Sequence, residues 1–347
     1  MNYLDRNEFN FPPSPKVVEA IKSFDPMTLC FYTRIYDQGK KSVVSVRLSE
    51  LYGVDEDRVL LTYGGEDMLK NAIHYFLTID TGAQTPNKTI LIPQFSWWYY
   101  NRVASECGGH FEMYPLHEKD DTFAYDIDEV IAYANRVHPR MLLLASPNNP
   151  TGNCLSPDDI TRIMQSIPAD TMVLIDEAYA SFISSDTDYI APLVNRFDNL
   201  IISRTLSKFY GLPGLRCGFG FIGRGHEQFL SYVNKYLGYN RFSEAVALAA
   251  LDSDDYYRGV AADMQWGREL YAEKLGSRPG FKVYRSVANF ILIKYPAACK
   301  EALQAALASE SYKIKFMTDP GLESCVRITL GRREQTQAVC DIILQNT

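Results

Sequence analysis

Leu200-Ile201-Ile202-Ser203-Arg204-Thr205-Leu206-Ser207-Lys208 passes from an unbroken apolar run into hydroxyls and ends on a lysine. A passage from an apolar run into polar residues also occurs twice upstream. Met141-Leu142-Leu143-Leu144-Ala145 leads into Asn148-Asn149-Pro150-Thr151-Gly152, and Met172-Val173-Leu174-Ile175 leads into Asp176-Glu177-Ala178-Tyr179. Short apolar runs without polar alternation suit strands covered on both faces, as in a mostly parallel sheet. Val59-Leu60-Leu61, Thr89-Ile90-Leu91-Ile92 and Gly218-Phe219-Gly220-Phe221-Ile222 extend the set.

Helical patterns lie between these runs. From Asp67 to Leu77 the apolar residues Met68, Leu69, Ala72, Ile73 and Phe76 fall at helical spacing. Ser156-Pro157-Asp158-Asp159 is a helix start, with a capping serine, a proline in the first turn and two acids facing the dipole. Gly53 reads as a stop for a helix over Val43 to Tyr52. Strand and helix alternating in this way predict an α/β domain built on a doubly wound sheet.

Beyond about Tyr256 the pattern changes. A long helical stretch is followed by short strands over Phe281 to Tyr284, Asn289 to Lys294 and Cys325 to Thr329. Helices over Ala297 to Ser309 and Arg333 to Leu344 complete a smaller α+β domain. The expected division is 38–250 for the large domain, with 1–37 and 251–347 in the small one.

At 347 residues the chain is long enough for two such domains. A net charge of -7 argues against a broad nucleic-acid footprint. The seven cysteines never form a CxxC pair and there are only five histidines, so no metal site is expected and the thiols read as reduced. Met1 to Glu8 carries no apolar signal core, and no uncharged stretch is long enough for a bilayer. The expectation is a cytoplasmic protein with small-molecule partners and neither nucleic acid nor membrane.

In doubly wound sheets, ligands bind outside the carboxyl ends of the strands. Asn149, Asp176 and Lys208 each follow an apolar run directly. Singly they read as a turn residue, a helix cap and a solvated charge. Jointly they suggest more. A lysine that forms imines is useful beside something that stores electrons, and a pyridoxal phosphate ring needs an aspartate, an asparagine, a tyrosine and an arginine around it. The residues therefore predict a pyridoxal-phosphate enzyme.

A family resemblance sharpens this. Ser146-Pro147-Asn148-Asn149-Pro150-Thr151-Gly152, Asp176-Glu177-Ala178-Tyr179, Arg204-Thr205-Leu206-Ser207-Lys208 and Gly214-Leu215-Arg216-Cys217-Gly218 together resemble the fold-type I pyridoxal-phosphate-dependent aminotransferases of class I/II. The likeness is strongest to the histidinol-phosphate aminotransferase branch, as it is for Val326-Arg327-Ile328-Thr329-Leu330-Gly331. It runs from about Asn7 to the carboxyl terminus.

The resemblance implies a role for each matching residue. Lys208 forms the internal aldimine and acts as general base. Asp176 pairs with the pyridine nitrogen. Asn149 and Tyr179 hydrogen-bond the ring's phenolic oxygen, and Phe95 stacks on the ring. Thr205, Ser207 and Arg216 face the phosphate. Gly65 and Glu66 occupy the place of the phosphate-binding turn, where free amides at a helix start bind anions in any case. The side chains of Glu66 and Asp67 are expected to turn away from that anion. Tyr36 is implied to reach the cofactor phosphate of the other subunit in a homodimer with shared active sites. Arg327 and Asn149 are implied to bind the substrate, with Arg327 gripping an anion; its fork suits carboxylate and phosphate alike.

The implied activity moves an amino group from a histidinol-phosphate-like or aromatic donor to a keto acid such as 2-oxoglutarate. Several residues depart from the branch. Gly65-Glu66-Asp67 replaces a commoner Ser-Asp-Glu, Phe95 replaces a tyrosine, and Trp97-Trp98-Tyr99-Tyr100 is unusually aromatic, either packing the next helix or walling the substrate. With Asn7-Glu8 so near its start, the chain is not expected to carry the arm that many relatives fold over the substrate. Two rivals stand beside the main reading. Lys208 to Arg216 also resembles the threonine-phosphate decarboxylases. Gly218-Phe219-Gly220-Phe221-Ile222-Gly223 formally matches GxGxxG, with Glu244 as the ribose acid of a nicotinamide-dependent dehydrogenase.

Overall fold

The computed structural model describes residues 1–79, 87–183, 187–233 and 237–347. The apolar runs form one seven-stranded sheet, in the order Val59–Thr62, Gly218–Ile222, Leu200–Thr205, Met172–Asp176, Met141–Ala145, Thr89–Pro93 and His110–Tyr114. Gly218–Ile222 is antiparallel to both neighbours, and the other pairs are parallel. Both faces are covered. Leu60, Leu143, Leu174 and Ile201 enter one apolar cluster, whereas Leu61, Leu144, Val173 and Ile202 enter another. That double burial is why these strands carry no polar alternation. The edge strand His110–Tyr114 exposes all but Tyr114, so apolar continuity gave no sign of it.

The helix over Val43–Tyr52 ends at Gly53 in the left-handed region, as its sequence implies. Pro157–Ser166 begins with a full capping box between Ser156 and Asp159. The stretch after Gly64 is helical over Gly65–His74 and continues as a π-helix over Tyr75–Ile79. Two short strands, His117–Lys119 and Thr122–Ala124, form a separate hairpin.

The second sheet has five strands, ordered Asn2–Leu4, Tyr312–Phe316, Cys325–Thr329, Phe290–Lys294 and Lys282–Tyr284. Helices Asp254–Leu275, Lys300–Ser309 and Arg333–Gln345 pack with it, and Leu4, Met264, Leu303, Ile328 and Val339 share one core. Ala297–Cys299 is a 3-10 turn ahead of Lys300–Ser309, a break within the single helix expected there. The first residues divide between the two layers: Asn2–Leu4 joins the second sheet, while Val17 on helix Pro15–Lys22 belongs to the core of the first.

The dehydrogenase reading fails on this geometry. Gly218 and Gly220 lie within an antiparallel strand and open no helix. A Cβ at Gly218 would stand 2.3 Å from the Gly64 carbonyl carbon, and one at Gly220 2.5 Å from the Ile202 oxygen. These glycines serve close backbone approach. Glu244 is buried on helix Arg241–Leu251, where it accepts a hydrogen bond from Ser42 Oγ. Among the described residues no helix is long and apolar enough to cross a membrane, and no group of side chains is arranged to hold a metal. All seven cysteines are free thiols.

Candidate active site

Parallel pairing brings the carboxyl ends of five strands to one edge of the large sheet, with Ala145 beside Asp176 and Asp176 beside Ser203. Gly218 pairs with both Thr62 and Thr205, so the single reversed strand begins at that same edge. The loops leaving it carry Gly64-Gly65, Phe95, Asn148-Asn149, Tyr179, Ser207-Lys208 and, entering, Arg216.

Asp176 is buried at the end of its strand. Its Oδ1 accepts the Ala178 amide at 3.1 Å and its Oδ2 accepts the Tyr100 hydroxyl at 2.6 Å. Burial pushes the carboxyl pKa above the usual aspartate range; the Tyr100 and Ala178 hydrogen bonds and the charge of Lys208 pull against that rise. Lys208 Nζ lies 5.8 Å from the centroid of the Tyr179 ring and donates to the main-chain oxygens of Arg6 and Asn7, at 3.2 and 3.3 Å.

An anion cradle forms where Val59–Thr62 turns into helix Gly65–His74. Gly64 takes φ +85°, and a Cβ there would meet Arg216 Nη2 at 2.7 Å. Thr205 stands against Gly65, and its Oγ1 lies 2.8 Å from Ser207 Oγ. Arg216 holds a left-handed backbone at φ 55°, with Nη2 donating to the Tyr63 oxygen at 3.3 Å. Helix-start amides, two hydroxyls and a guanidinium thus converge from three segments, the donor set that a phosphate requires. Asp67 turns back as expected, accepting the Tyr63 amide at 2.9 Å. Glu66 does not: its carboxylate lies 4.0 Å from Arg216 Nη2.

Arg327 reaches in from the second sheet. Its Nη1 donates to Asn149 Oδ1 and its Nη2 to the Asp5 oxygen, while its buried Nε has no partner among the described residues. Desolvation lowers the guanidinium's pKa, so this cation favours an anionic companion.

Two residues joined to this site were not singled out from the sequence. Asn7, in a left-handed backbone at φ 56°, donates from Nδ2 to the Tyr179 hydroxyl at 2.9 Å and from its amide to Thr329 Oγ1, also at 2.9 Å. No local pattern marks it, because its partners are distant in sequence. Tyr100 had one usable signal, the aromatic run that contains it, but helical packing explains such a run equally well.

Phe95 adopts φ 51°, costly for an aromatic residue and typical of residues held at sites. Its carbonyl accepts from Asn148 Nδ2 at 2.9 Å, and its ring packs edge-on against Phe123. Tyr36 lies on the turn Ile35–Gln38 with its side chain half exposed, and no described contact joins it to this site within the chain. A cleft of about 700 Å³ lies elsewhere, lined by Tyr125, Leu155, Arg268 and Ile291 among others, and by none of the residues that carry the chemistry.

The chain resembles known proteins along nearly its whole length. The family model described as "Aminotransferase class I and II" matches residues 2–343. A histidinol-phosphate aminotransferase of Natronomonas pharaonis is 30% identical over 343 residues, covering 98% of this chain and 89% of that protein. The crystal structure of histidinol-phosphate aminotransferase from Sinorhizobium meliloti in complex with pyridoxal-5'-phosphate superposes with a TM-score of 0.83 at 22% identity, covering 100% of this chain and 91% of that one. An L-threonine-O-3-phosphate decarboxylase from Porphyromonas gingivalis superposes at 0.78 with 20% identity, over 99% of both chains. At such identities these superpositions speak for the fold.

Proposed function

The chain belongs to the class I and II aminotransferases, and from that premise we propose that it binds pyridoxal 5'-phosphate at Lys208 and transfers an amino group from a histidinol-phosphate-like or aromatic donor to a keto acid such as 2-oxoglutarate. One observation carries the reading. A buried carboxylate, a lysine amine facing a tyrosine ring, and a phosphate-type cradle meet at a single sheet edge.

When bound, pyridoxal phosphate supplies an aldehyde and a protonated ring that accepts the electron pair left at the donor's alpha carbon. Asp176, anionic, holds the proton of the ring nitrogen. Tyr179 accepts from Asn7, which leaves its own hydroxyl proton to donate; Asn149 accepts from Arg327 through Oδ1, which leaves its amide hydrogens. Both therefore suit the ring's phenolic oxygen. The backbone amides of Gly65 and Glu66, with Thr205, Ser207 and Arg216, would grip the phosphate, and Phe95 would flank the ring. Lys208 Nζ would take the proton from the donor's alpha carbon and deliver it to the cofactor's aldehyde carbon. Arg327 keeps N–H groups beyond those given to Asn149 and Asp5, and these would meet the substrate's anionic group, carboxylate or phosphate.

In this reading 38–250 forms the cofactor domain and 1–37 and 251–347 the smaller one, with Val17 reaching from the latter into the core of the first sheet, and two copies share their sites through Tyr36. The test is a purified protein loaded with pyridoxal phosphate. It is screened for keto-acid-dependent loss of amine from histidinol phosphate, phenylalanine and tyrosine, and for carbon dioxide release from threonine phosphate. The expected result is amine transfer, abolished in Lys208→Ala together with the yellow colour. Near-normal turnover in that variant overturns the assignment, and carbon dioxide release without amine transfer makes the protein a decarboxylase.

A further inference from the structure

We propose that Tyr100 is a positioning residue that holds Asp176 ionised and oriented toward a pyridinium N–H. The inference rests on the cofactor reading above and deepens it. Tyr100 comes from helix Tyr99–Glu106, which carries none of the other groups assigned to the site. Its ring is buried and its hydroxyl donates to Asp176 Oδ2 at 2.6 Å, the shorter of that carboxylate's two hydrogen bonds; the other, from Ala178, spans 3.1 Å.

The physical need is plain. A carboxylate withdrawn from water must be met by donors or it takes up a proton and goes neutral. A neutral acid there can no longer hold the ring nitrogen's proton. Tyr100 and Ala178 each take one lone pair of a different oxygen, which fixes the carboxylate plane and leaves lone pairs for a cationic donor. Burial, with the nearby Asp176, drives the Tyr100 hydroxyl far above its ordinary pKa, so it stays a donor through the working pH range. The other titratable groups facing the pair are Lys208, Tyr125 and Tyr179. Only Lys208 carries charge that favours the anion.

The test reads Asp176 directly, in the full chain freed of cofactor. Its carboxyl carbon is titrated by carbon-13 NMR and assigned by the signal lost in Asp176→Asn. Tyr100→Phe is expected to raise the midpoint by about one pH unit or more, a tenfold shift in ionisation. In the loaded enzyme the same variant is expected to lower kcat by about tenfold to a hundredfold, with KM for the amino donor nearly unchanged. Site-directed 3,5-difluorotyrosine at position 100, a stronger donor of the same shape, is expected to lower the midpoint, and it supplies the test if Tyr100→Phe does not fold. An unmoved midpoint in either protein overturns the proposal, even if kcat falls. A wild-type chain that takes up no pyridoxal phosphate sinks the cofactor reading instead, and leaves the titration to judge Tyr100 alone.

Discussion

At the scale of single residues, the site joins groups with opposite demands on water. Burial holds the Asp176 pKa above its ordinary value of 3.8, so the folded protein binds this proton more tightly than the unfolded chain does. The resulting stability is fully present below pH 3.8 and is lost as pH rises through the folded value. Asp176→Asn in cofactor-free protein removes that loss, so its stability relative to wild type should climb as pH rises through this window. Urea midpoints measured across the pH series test it; a difference that stays constant with pH contradicts the sign. Lys208, Asp176 and Asn149 were legible in the sequence because each ends a recognisable apolar run. Asn7 and Tyr100 were not, since each acts through a partner brought near only by the fold.

At the scale of elements, the strands ending in Asp176 and Thr205 are tied behind the site by a buried ion pair. Arg204 donates from Nε and Nη2 to Glu177 Oε2, at 2.8 and 2.7 Å, and both side chains are 1% exposed. The Tyr189 hydroxyl donates to Glu177 Oε1 at 2.6 Å, and Arg204 lies over the Tyr52 ring. Glu177→Ala leaves a guanidinium buried without its acid, at an expected cost of about 3–5 kcal/mol in unfolding free energy. A chemical denaturation series measures it, and a loss under 1 kcal/mol, the size of a surface pair, would show the site relaxes or admits water. Strands sandwiched between two apolar layers were legible because their composition has one explanation. His110–Tyr114 and Asn2–Leu4 were not: the first is an exposed edge, and the second is short and pairs with Tyr312–Phe316 far along the chain.

At the scale of the whole molecule, the site lies across both sheets. Asp176 and Lys208 come from the first and Arg327 from the second, and Asp5 to Asn7 bridge them through Arg327, Thr329 and Lys208. The order of the sheets was beyond reach of local pattern, because it depends on contacts between residues far apart in sequence. Assembly gives a test at this scale. If Tyr36 serves a neighbouring copy, inactive Lys208→Ala chains mixed and refolded with impaired Tyr36→Ala chains should regain activity, since a hybrid pair contains one intact site. A mixture no more active than its separate components removes Tyr36 from the site. The Asn7 amide and Thr329 Oγ1 that meet behind the lysine are 322 positions apart. A ribosome therefore releases the first of these groups long before it has made the second, and a nascent chain halted ahead of Thr329 has its lysine but not the clasp around it. The clasp around the lysine closes only once Thr329 has been made and has met Asn7.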